Sequence, residues 1–340
     1  MELLSPVLLV VVGIVILVWG ADKFVTASSA FAKHFNVPSL LVGMIIVGFG
    51  TSAPEFIVSA MGALNGQPGI CIGNAFGSNI ANIALILGVT AMISPVSVNW
   101  SILKFELPVL TLATVFVAFL IRDGNLSRLD ALLMLIVFFA IIGYQIKTAL
   151  KEKKLADEAV KTDDASLASE HTESEEGETS QSQVEMSLGK SVFWIFAGLL
   201  LLMVSARMLV SGATDIAKIF GISDLVIGLT VVALGTSLPE LASSVVAARK
   251  KEDDIAVGNI VGSSIFNLLA VVGFAGMIAP FKAEKIVLTR DVPAMLIVTL
   301  ALFLSYFTKG EQKRISRLGG SLLLLSYIAY TVYLFVGKAG

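Results

Sequence analysis

Long apolar segments are the feature that most constrains how this chain can fold. Crossing a bilayer as a helix takes about 20 predominantly apolar residues. About ten segments meet this condition, namely 4–31, 39–64, 70–93, 104–121, 129–149, 191–219, 224–247, 256–279, 291–307 and 317–336. Only 15% of residues are charged, against about a quarter in globular proteins. The sequence therefore predicts an all-α integral membrane protein whose immediate environment is the lipid bilayer.

The composition also excludes several classes of function. The formal net charge is −2, so the chain lacks the basic surface that nucleic-acid binding needs. The single cysteine, Cys71, excludes a disulfide framework, and two histidines, His34 and His171, leave little for a zinc site. The H-E-x-x-H motif of metalloproteases is absent from the sequence. We therefore expect no enzyme, no nucleic-acid partner and no cofactor.

A sequence repeat divides the chain into two similar halves. The repeated motifs share an offset of 185 residues: GFGTSAPEF (48–56) returns as ALGTSLPEL (233–241), and GNAFGSNIANIALILG (73–88) returns as GNIVGSSIFNLLAVVG (258–273). Residues 21–88 match 206–273 without a gap. With about five spans in each half, the second copy enters the membrane from the opposite side, which makes the repeats inverted. Many secondary transporters have this architecture and bind substrate near the midplane, where the repeats meet.

The segment between the halves, 150–190, has a different composition. It is acidic, rich in Ser and Glu, and free of aromatic residues. Such a segment buries too little apolar surface to offset its ordering entropy, so we expect a disordered cytoplasmic linker. Clustered carboxylates would also suit a Ca²⁺ sensor, but the spacing of an EF-hand loop is absent. The predicted domains are a first five-helix repeat (1–149), this linker (150–190) and a second, inverted five-helix repeat (191–340).

The distribution of Lys and Arg predicts the orientation of the chain. With the N-terminus outside, 15 of these residues fall on the cytoplasmic side and 7 on the outer side. Lys23 and Arg207 lie inside spans and complete the total of 24. Because cytoplasmic loops carry an excess of positive charge, we expect both termini on the outer side of a cell membrane.

Two acidic residues lie inside the repeated motifs, Glu55 and Glu240. A charge at the bilayer centre costs about 2.5–3.5 kcal/mol or more on insertion scales. Their spans and the following ones offer no nearby Lys or Arg partner, since Arg249 and Lys250 fall at a helix end. A functional role therefore explains these two carboxylates better than structural ion pairing does.

Further oxygen atoms surround each glutamate. Thr51 lies four residues before Glu55 and so shares its helix face, and Ser52 is beside it. Pro54 has no N–H, so the Gly50 carbonyl loses its helical donor and we expect the helix to unwind there. The second motif repeats this arrangement with Thr236, Ser237, Pro239 and Glu240. The following spans carry oxygen-bearing pairs four residues apart, Ser78 with Asn82 and Ser263 with Asn267.

Small residues recur beside these polar side chains. Gly73 with Gly77, and Gly258 with Gly262, have the G-x-x-x-G spacing that lets membrane helices approach closely. We expect these glycines to serve helix packing.

The combined donor set suits a hard cation. It consists of carboxylate, hydroxyl, amide and carbonyl oxygens, without thiolate or imidazole. Ca²⁺ takes 6–8 oxygens in flexible geometry, whereas Mg²⁺ demands stricter octahedral geometry and loses water reluctantly. Two carboxylates match one divalent ion in charge, and the same oxygens can be shared among several Na⁺ ions. A site that cannot hold both sets of ions together provides a physical basis for exchange.

The two motif pairs resemble the α-repeats of the cation/Ca²⁺ exchanger superfamily, and within it the prokaryotic sodium/calcium exchangers. The resemblance implies ten helices, an inner-membrane location, and electrogenic exchange of several Na⁺ for one Ca²⁺ by alternating access, with both ions as transported substrates. It places the ion sites between spans 2, 3, 7 and 8. It assigns as metal ligands Glu55, Glu240, Thr51, Ser52, Ser78, Asn82, Thr236, Ser237, Ser263 and Asn267, with the backbone carbonyls of Gly48 and Ala233.

Other functions use similar chemistry and stay as alternatives. A Ca²⁺/H⁺ or other cation antiporter could use the same site, although the proton-coupled branch carries an acidic residue where Phe76 and Gly77 follow GNA here. Asn267 stands where certain prokaryotic exchangers and the K⁺-dependent exchangers carry Asp, whereas animal plasma-membrane exchangers carry Asn. This disfavours K⁺ dependence. A cation channel is disfavoured because one midplane carboxylate pair suits a carrier better than a row of pore sites.

Overall fold

Helices make up nearly all of the described chain. The computed structural model describes residues 3–98, 102–167, 186–221, 231, 233–305 and 314–336. The first half contains α1 (Leu4–Phe35), α2 (Ser39–Val42), π1 (Gly43–Gly48), α3 (Phe49–Thr51), α4 (Ala53–Leu64), α5 (Pro68–Ile80), π2 (Ala81–Ile86), α6 (Leu87–Ile93), β1 (Val96–Ser97), π3 (Ile102–Glu106), α7 (Leu107–Leu120), β2 (Asn125–Leu126) and α8 (Arg128–Leu167). The second half contains α9 (Leu188–Ile219), α10 (Ala233–Thr236), α11 (Leu238–Arg249), α12 (Asp253–Ile265), π4 (Phe266–Val271), α13 (Val272–Ile278), β3 (Phe281–Lys282), π5 (Val287–Asp291), α14 (Val292–Ser305), β4 (Arg314–Ile315) and α15 (Arg317–Val336).

Several helices are long and apolar enough to cross a membrane. Six described helices qualify: Leu4–Phe35, Gly69–Ile93, Arg128–Lys151, Leu188–Ile219, Asp253–Ile278 and Arg317–Leu334. The segments Ser39–Thr51 and Ala53–Leu64 qualify as a pair bent by 46°. The predicted span 224–247 begins in residues outside the described part of the chain. The helix content and apolar lengths are those of a multi-pass membrane protein.

Burial separates central helices from peripheral ones. In the apolar stretch of Asp253–Ile278, 94% of residues are buried, and in Gly69–Ile93 72%. In the apolar stretches of α1, α8 and α9, only 28% of residues are buried. The central segments carry the Gly-, Ser- and Asn-containing motifs, while the peripheral helices expose large apolar side chains such as Val15 and Phe196. Lipid tails are the medium in which such exposed apolar faces are stable.

The helices that carry the repeated motifs are interrupted. The predicted break beside Pro54 is present, because α3 ends at Thr51, Ser52 leaves the helical region with φ −83° and ψ 10°, and α4 then begins. Ser237 repeats this conformation with φ −92° and ψ 7°. π segments precede the first break and follow α5 and α12. Widened π turns of this kind occur often at functional sites.

Two short antiparallel ladders join loops of the two halves, a feature that the all-α prediction did not contain. Strand β1 pairs with β4, with Val96 opposite Ile315. Strand β2 pairs with β3, with Leu126 opposite Phe281. Each ladder links one loop of the first half to one loop of the second half.

The beginning of the acidic segment differs from the prediction of a disordered linker. Helix α8 does not end near residue 149 but continues to Leu167. The stretch 150–167 contains no Gly or Pro and is rich in Ala, Lys and Glu, which have high helix propensity. For this stretch, the local helix propensity outweighs the acidic composition on which the prediction of disorder was based. Residues 168–185 lie outside the described part of the chain.

The predicted glycine packing is confirmed in the second half. A Cβ atom added at Gly262 would lie 2.3 Å from the Met44 carbonyl oxygen, and one at Gly258 would lie 2.6 Å from the Leu40 carbonyl oxygen. Helix α12 therefore packs with direct backbone contact against α2 and π1. By the repeat, Gly73 and Gly77 should pack against residues 225 and 229, the counterparts of Leu40 and Met44. These two residues lie outside the described chain.

Candidate cation site

The two motif glutamates are buried and are joined by hydrogen bonds that cross between the halves. Glu55 is 0% exposed and Glu240 is 1% exposed. The Ser52 hydroxyl donates to Oε1 of Glu240 at 3.0 Å, and the Ser237 hydroxyl donates to Oε1 of Glu55 at 3.3 Å. Because each serine lies only three residues before the glutamate of its own half, this crossing brings the two carboxylates into one site.

The local backbone explains why both glutamates lie at this position. Each occupies the first turn of a helix that restarts after the broken residue, with proline just before it. Negative charge in the first turn is favoured by the helix dipole, and proline is tolerated there because its missing N–H has no helical acceptor to lose. The breaks at Ser52 and Ser237 therefore create two helix N-termini that stabilise Glu55 and Glu240.

Several of the predicted ligands carry buried polar atoms without a hydrogen-bond partner. Nine buried side-chain nitrogen or oxygen atoms in the described chain lack a hydrogen-bond partner. Five of them belong to four predicted ligands: Oε2 of Glu55, Oε2 of Glu240, Oδ1 of Asn267, and both amide atoms of Asn82. Leaving a buried polar group unsatisfied costs about 1–3 kcal/mol. Four of the five atoms are oxygens, so a bound cation would satisfy them.

Among the described residues, no cationic side chain is paired with Glu55 or Glu240. The ion pairs of Lys250 with Asp22 and of Arg290 with Asp291 lie elsewhere. Two buried carboxyl groups that lack a cationic partner within the described chain form the electrostatic arrangement expected of a site for a divalent ion.

The hydroxyl and carbonyl groups around the glutamates also connect the two halves. The Ser263 hydroxyl donates to the Gly48 carbonyl at 3.0 Å. The Thr51 hydroxyl lies 3.0 Å from both the Val47 carbonyl oxygen and Oδ1 of Asn259. Since a hydroxyl has one proton, either bond leaves lone pairs on the Thr51 oxygen that a cation can use.

The remaining predicted ligands discussed here lie on α5, π2 and α10. The Thr236 side chain approaches Glu55, as that of Thr51 approaches Glu240. Ser78 is 7% exposed at the end of α5, and Asn82 is 1% exposed in π2. Ala233 begins α10, and its side chain lies outside the described part of the chain. Coordination of an ion by these residues stays a prediction.

Two asparagines that the sequence reasoning missed hold the glutamate-bearing turns. The Asn74 amide donates to the backbone carbonyl of Glu55 at 3.0 Å and to the Ser59 hydroxyl at 3.0 Å. The repeat places the same contacts in the second half, where Asn259 donates to the Glu240 carbonyl at 3.2 Å and to the Ser244 hydroxyl at 2.9 Å. The signal was available in the sequence, because both pairs share the repeat offset of 185 residues.

A multi-pass membrane protein with two repeated broken helices and two buried carboxylates, joined by hydrogen bonds between its halves, belongs to the class of membrane cation transporters. Within this class, the chain belongs to the sodium/calcium exchanger family. The family profile described as "Sodium/calcium exchanger protein" matches residues 5–147 and 190–336. This confirms the resemblance that the two motif pairs indicated.

Similar proteins cover almost the whole chain. The inner membrane protein YrbG of Escherichia coli (strain K12) is 37% identical over 96% of this chain and 96% of its own. The sodium/calcium exchanger MaX1 of Methanosarcina acetivorans is 31% identical over 96% of this chain and 98% of its own. A solved structure of the sodium-calcium exchanger NCX_Mj superposes with a TM-score of 0.79 at 31% identity, covering 98% of this chain and 99% of that one. The family and the fold together identify a cation/Ca²⁺ antiporter.

Proposed function

We propose that this protein is a secondary active antiporter that exchanges Na⁺ for Ca²⁺ by alternating access. The observation that carries the proposal is the crossed pair of hydrogen bonds from Ser52 to Glu240 and from Ser237 to Glu55. It joins the two carboxylates from both halves of the chain and leaves one oxygen of each without a hydrogen bond in the part of the chain that the structure describes.

Exchange follows from the chemistry of the shared oxygens. One Ca²⁺ needs 6–8 oxygen ligands and is matched in charge by two carboxylates. The same oxygens, divided among several Na⁺ ions, cannot serve Ca²⁺ at the same time. Binding of one substrate therefore requires release of the other. If more than two Na⁺ replace one Ca²⁺, each cycle moves net charge, so the exchange is electrogenic.

The proposed architecture has ten transmembrane helices in two inverted repeats of five. The repeat offset supports it, and so does the recurrence of the amide contacts of Asn74 and Asn259 at equivalent positions. A site between two equivalent halves suits alternating access, because each half can close one side of the membrane.

The proposed location is a prokaryotic inner membrane, with both termini outside. The excess of Lys and Arg on one side supports this orientation. The description of the similar YrbG as an inner membrane protein supports the location.

A Ca²⁺/H⁺ antiporter is the second candidate, because protons bind the same carboxylates. To separate the candidates, purified protein is placed in liposomes with an outward gradient of Na⁺, K⁺ or H⁺ alone. The gradient that drives ⁴⁵Ca²⁺ uptake identifies the exchanged cation. We expect ⁴⁵Ca²⁺ uptake with the Na⁺ gradient, accelerated by an inside-positive potential because net positive charge leaves. Uptake driven only by the proton gradient would replace the proposal with the second candidate, and single-channel currents would replace it with a channel.

A further inference from the structure

The hydrogen bonds of a buried amide that contacts the predicted ligand Asn267 determine how this amide is oriented. Asn79 is 0% exposed, and its Nδ2 donates to the backbone carbonyl of Ser264 at 2.9 Å. A backbone carbonyl only accepts hydrogen bonds, so the NH₂ end of Asn79 must face it. The oxygen Oδ1 of Asn79 therefore faces the other way, where it accepts a hydrogen bond from Nδ2 of Asn267 at 3.3 Å.

The orientation of Asn79 in turn orients Asn267. With the NH₂ end of Asn267 directed at Asn79, its oxygen Oδ1 is directed elsewhere, and this buried atom has no hydrogen-bond partner in the described chain. Only the oxygen end of an amide can bind a hard cation, since the NH₂ end carries partial positive charge. The Ser264 carbonyl thus controls, through Asn79, which end of Asn267 is free.

The corresponding amide of the other half is not held in this way. The repeat aligns Asn79 with Ser264, whose hydroxyl donates to Ile260 of its own helix at 2.8 Å. Asn82, the counterpart of Asn267, has no hydrogen-bond partner for either amide atom among the described residues. The orienting chain is therefore specific to one half of the site.

We propose that Asn79 is a specificity-determining positioning residue that holds Asn267 with its oxygen toward the cation and excludes an ionised carboxylate at position 267. The exclusion follows from geometry. In the variant Asn267→Asp, a carboxylate oxygen would lie where Nδ2 now donates, against the Asn79 oxygen. Asn79 cannot reverse its amide without losing the bond to Ser264 and directing its oxygen at that carbonyl. The inference rests on the proposed function.

A double-mutant cycle of Asn79→Ser and Asn267→Asp tests the proposal. Serine suits this position because Ser264 occupies the equivalent place in the other half. We expect Asn79→Ser alone to raise the Ca²⁺ Kd and KM about fivefold with little change in the maximal rate, the size of one lost hydrogen bond. In the Asn267→Asp background, the same change should instead tighten Ca²⁺ binding, because the opposing oxygen is gone. Calorimetric Ca²⁺ titration and Na⁺-driven ⁴⁵Ca²⁺ uptake give both quantities.

Thr114→Val is the matched control. The Thr114 hydroxyl approaches the same Met295 sulfur as Asn79 but makes no hydrogen bond to Asn267. We expect its effect to add to that of Asn267→Asp without coupling. If Asn79→Ser does not fold, Asn79→Ala removes the same amide and takes its place in the cycle.

The outcomes separate the inference from the proposed function. Additive effects of Asn79→Ser and Asn267→Asp in an active protein overturn the inference alone, as does equal coupling by Thr114→Val. Wild-type protein that neither binds Ca²⁺ nor exchanges it for Na⁺ overturns the proposed function and the inference with it. Opposite effects of Asn79→Ser in the two backgrounds, absent for Thr114→Val, support the inference.

Discussion

Each of the two glutamates uses one carboxylate oxygen within the protein and leaves the other without a hydrogen-bond partner among the described residues. Ser52 and Ser237 satisfy one oxygen of Glu240 and Glu55, respectively, and the second oxygen is buried without a hydrogen bond. Uncompensated buried charge is strongly destabilising, by about 3–5 kcal/mol when one partner of a buried pair is removed. The arrangement is therefore that of a site that is stable when a cation occupies it.

Neutralising either glutamate should abolish Ca²⁺ exchange. For Glu55→Gln and Glu240→Gln we expect Ca²⁺ affinity to fall at least about a hundredfold, because ligand charge tunes Ca²⁺ affinity over several orders of magnitude. Calorimetric titration and ⁴⁵Ca²⁺ uptake measure the loss. Glu106→Gln is the matched control, since Glu106 is also partly buried but is paired with the Gln145 amide at 2.8 Å. Wild-type exchange rates in either folded site variant would contradict the assignment.

Acid should slow exchange, because a proton and a cation bind the same carboxylate oxygens. As pH falls, protonated Glu55 and Glu240 lose the charge that attracts Ca²⁺, so the apparent Ca²⁺ KM should rise. Initial rates of Na⁺-driven ⁴⁵Ca²⁺ uptake between about pH 8 and pH 5 measure this, the lower limit lying near the usual titration range of Glu. A rate that stays constant over this interval at subsaturating Ca²⁺ would argue against carboxylate ligands.

At the scale of elements, backbone contact between α12 and π1 positions one side of the site. Gly262 lies against the Met44 backbone, and in the next position Ser263 donates to the Gly48 carbonyl. The close approach that glycine allows therefore brings a predicted hydroxyl ligand to a predicted carbonyl ligand. Small residues serve this purpose widely in membrane helices.

Gly262→Ala should separate these elements. The added Cβ would lie 2.3 Å from the Met44 carbonyl oxygen, so the helices must move apart. We expect a destabilisation of about 1–3 kcal/mol, typical of overpacking, with weaker Ca²⁺ binding. Thermal unfolding in detergent and calorimetry measure both. The control is Gly143→Ala on exposed α8, where the added Cβ meets nothing within 4 Å. Equal effects of the two substitutions would show that helix contact is not the cause.

At the scale of the whole molecule, contacts between the halves define the site. The crossed serine–glutamate bonds, the Ser263–Gly48 bond and the Asn79–Ser264 bond all join a residue of the first half to a residue of the second half. The two strand ladders join loops of the halves in the same way. Neither half can form the site alone, which suits a carrier in which the halves move relative to each other around the bound ion.

The proposed orientation, with both termini outside, can be tested with fused reporter proteins that are active on only one side of the membrane. Alkaline phosphatase fused at the C-terminus should be active, because this enzyme needs the oxidising outer side. Green fluorescent protein at the same place should stay dark. The same reporters inserted within 168–185 should give the opposite result and serve as the control. Phosphatase activity at the insertion with none at the C-terminus would reverse the assigned topology.

The sequence by itself determined the membrane class, the repeat and the ligand chemistry. Apolar length, repeated motifs and intramembrane carboxylates are local properties, so they can be read along the chain without knowing how it packs. Glu55 and Glu240 could be singled out because burying an acid in a membrane is costly wherever the helix lies. The break beside Pro54 was also predictable, because the missing N–H is a local property of one residue.

Only the tertiary structure decided how these parts meet. The bonds from Ser52 to Glu240 and from Asn267 to Asn79 join residues 188 positions apart. A pattern within one segment carries no information about such distant pairs. The π segments and the direction of the Asn267 amide also escape sequence reasoning, because neighbouring helices and one backbone carbonyl select them. The types of the candidate ligands are therefore a property of the sequence, whereas the contacts between them are a property of the fold.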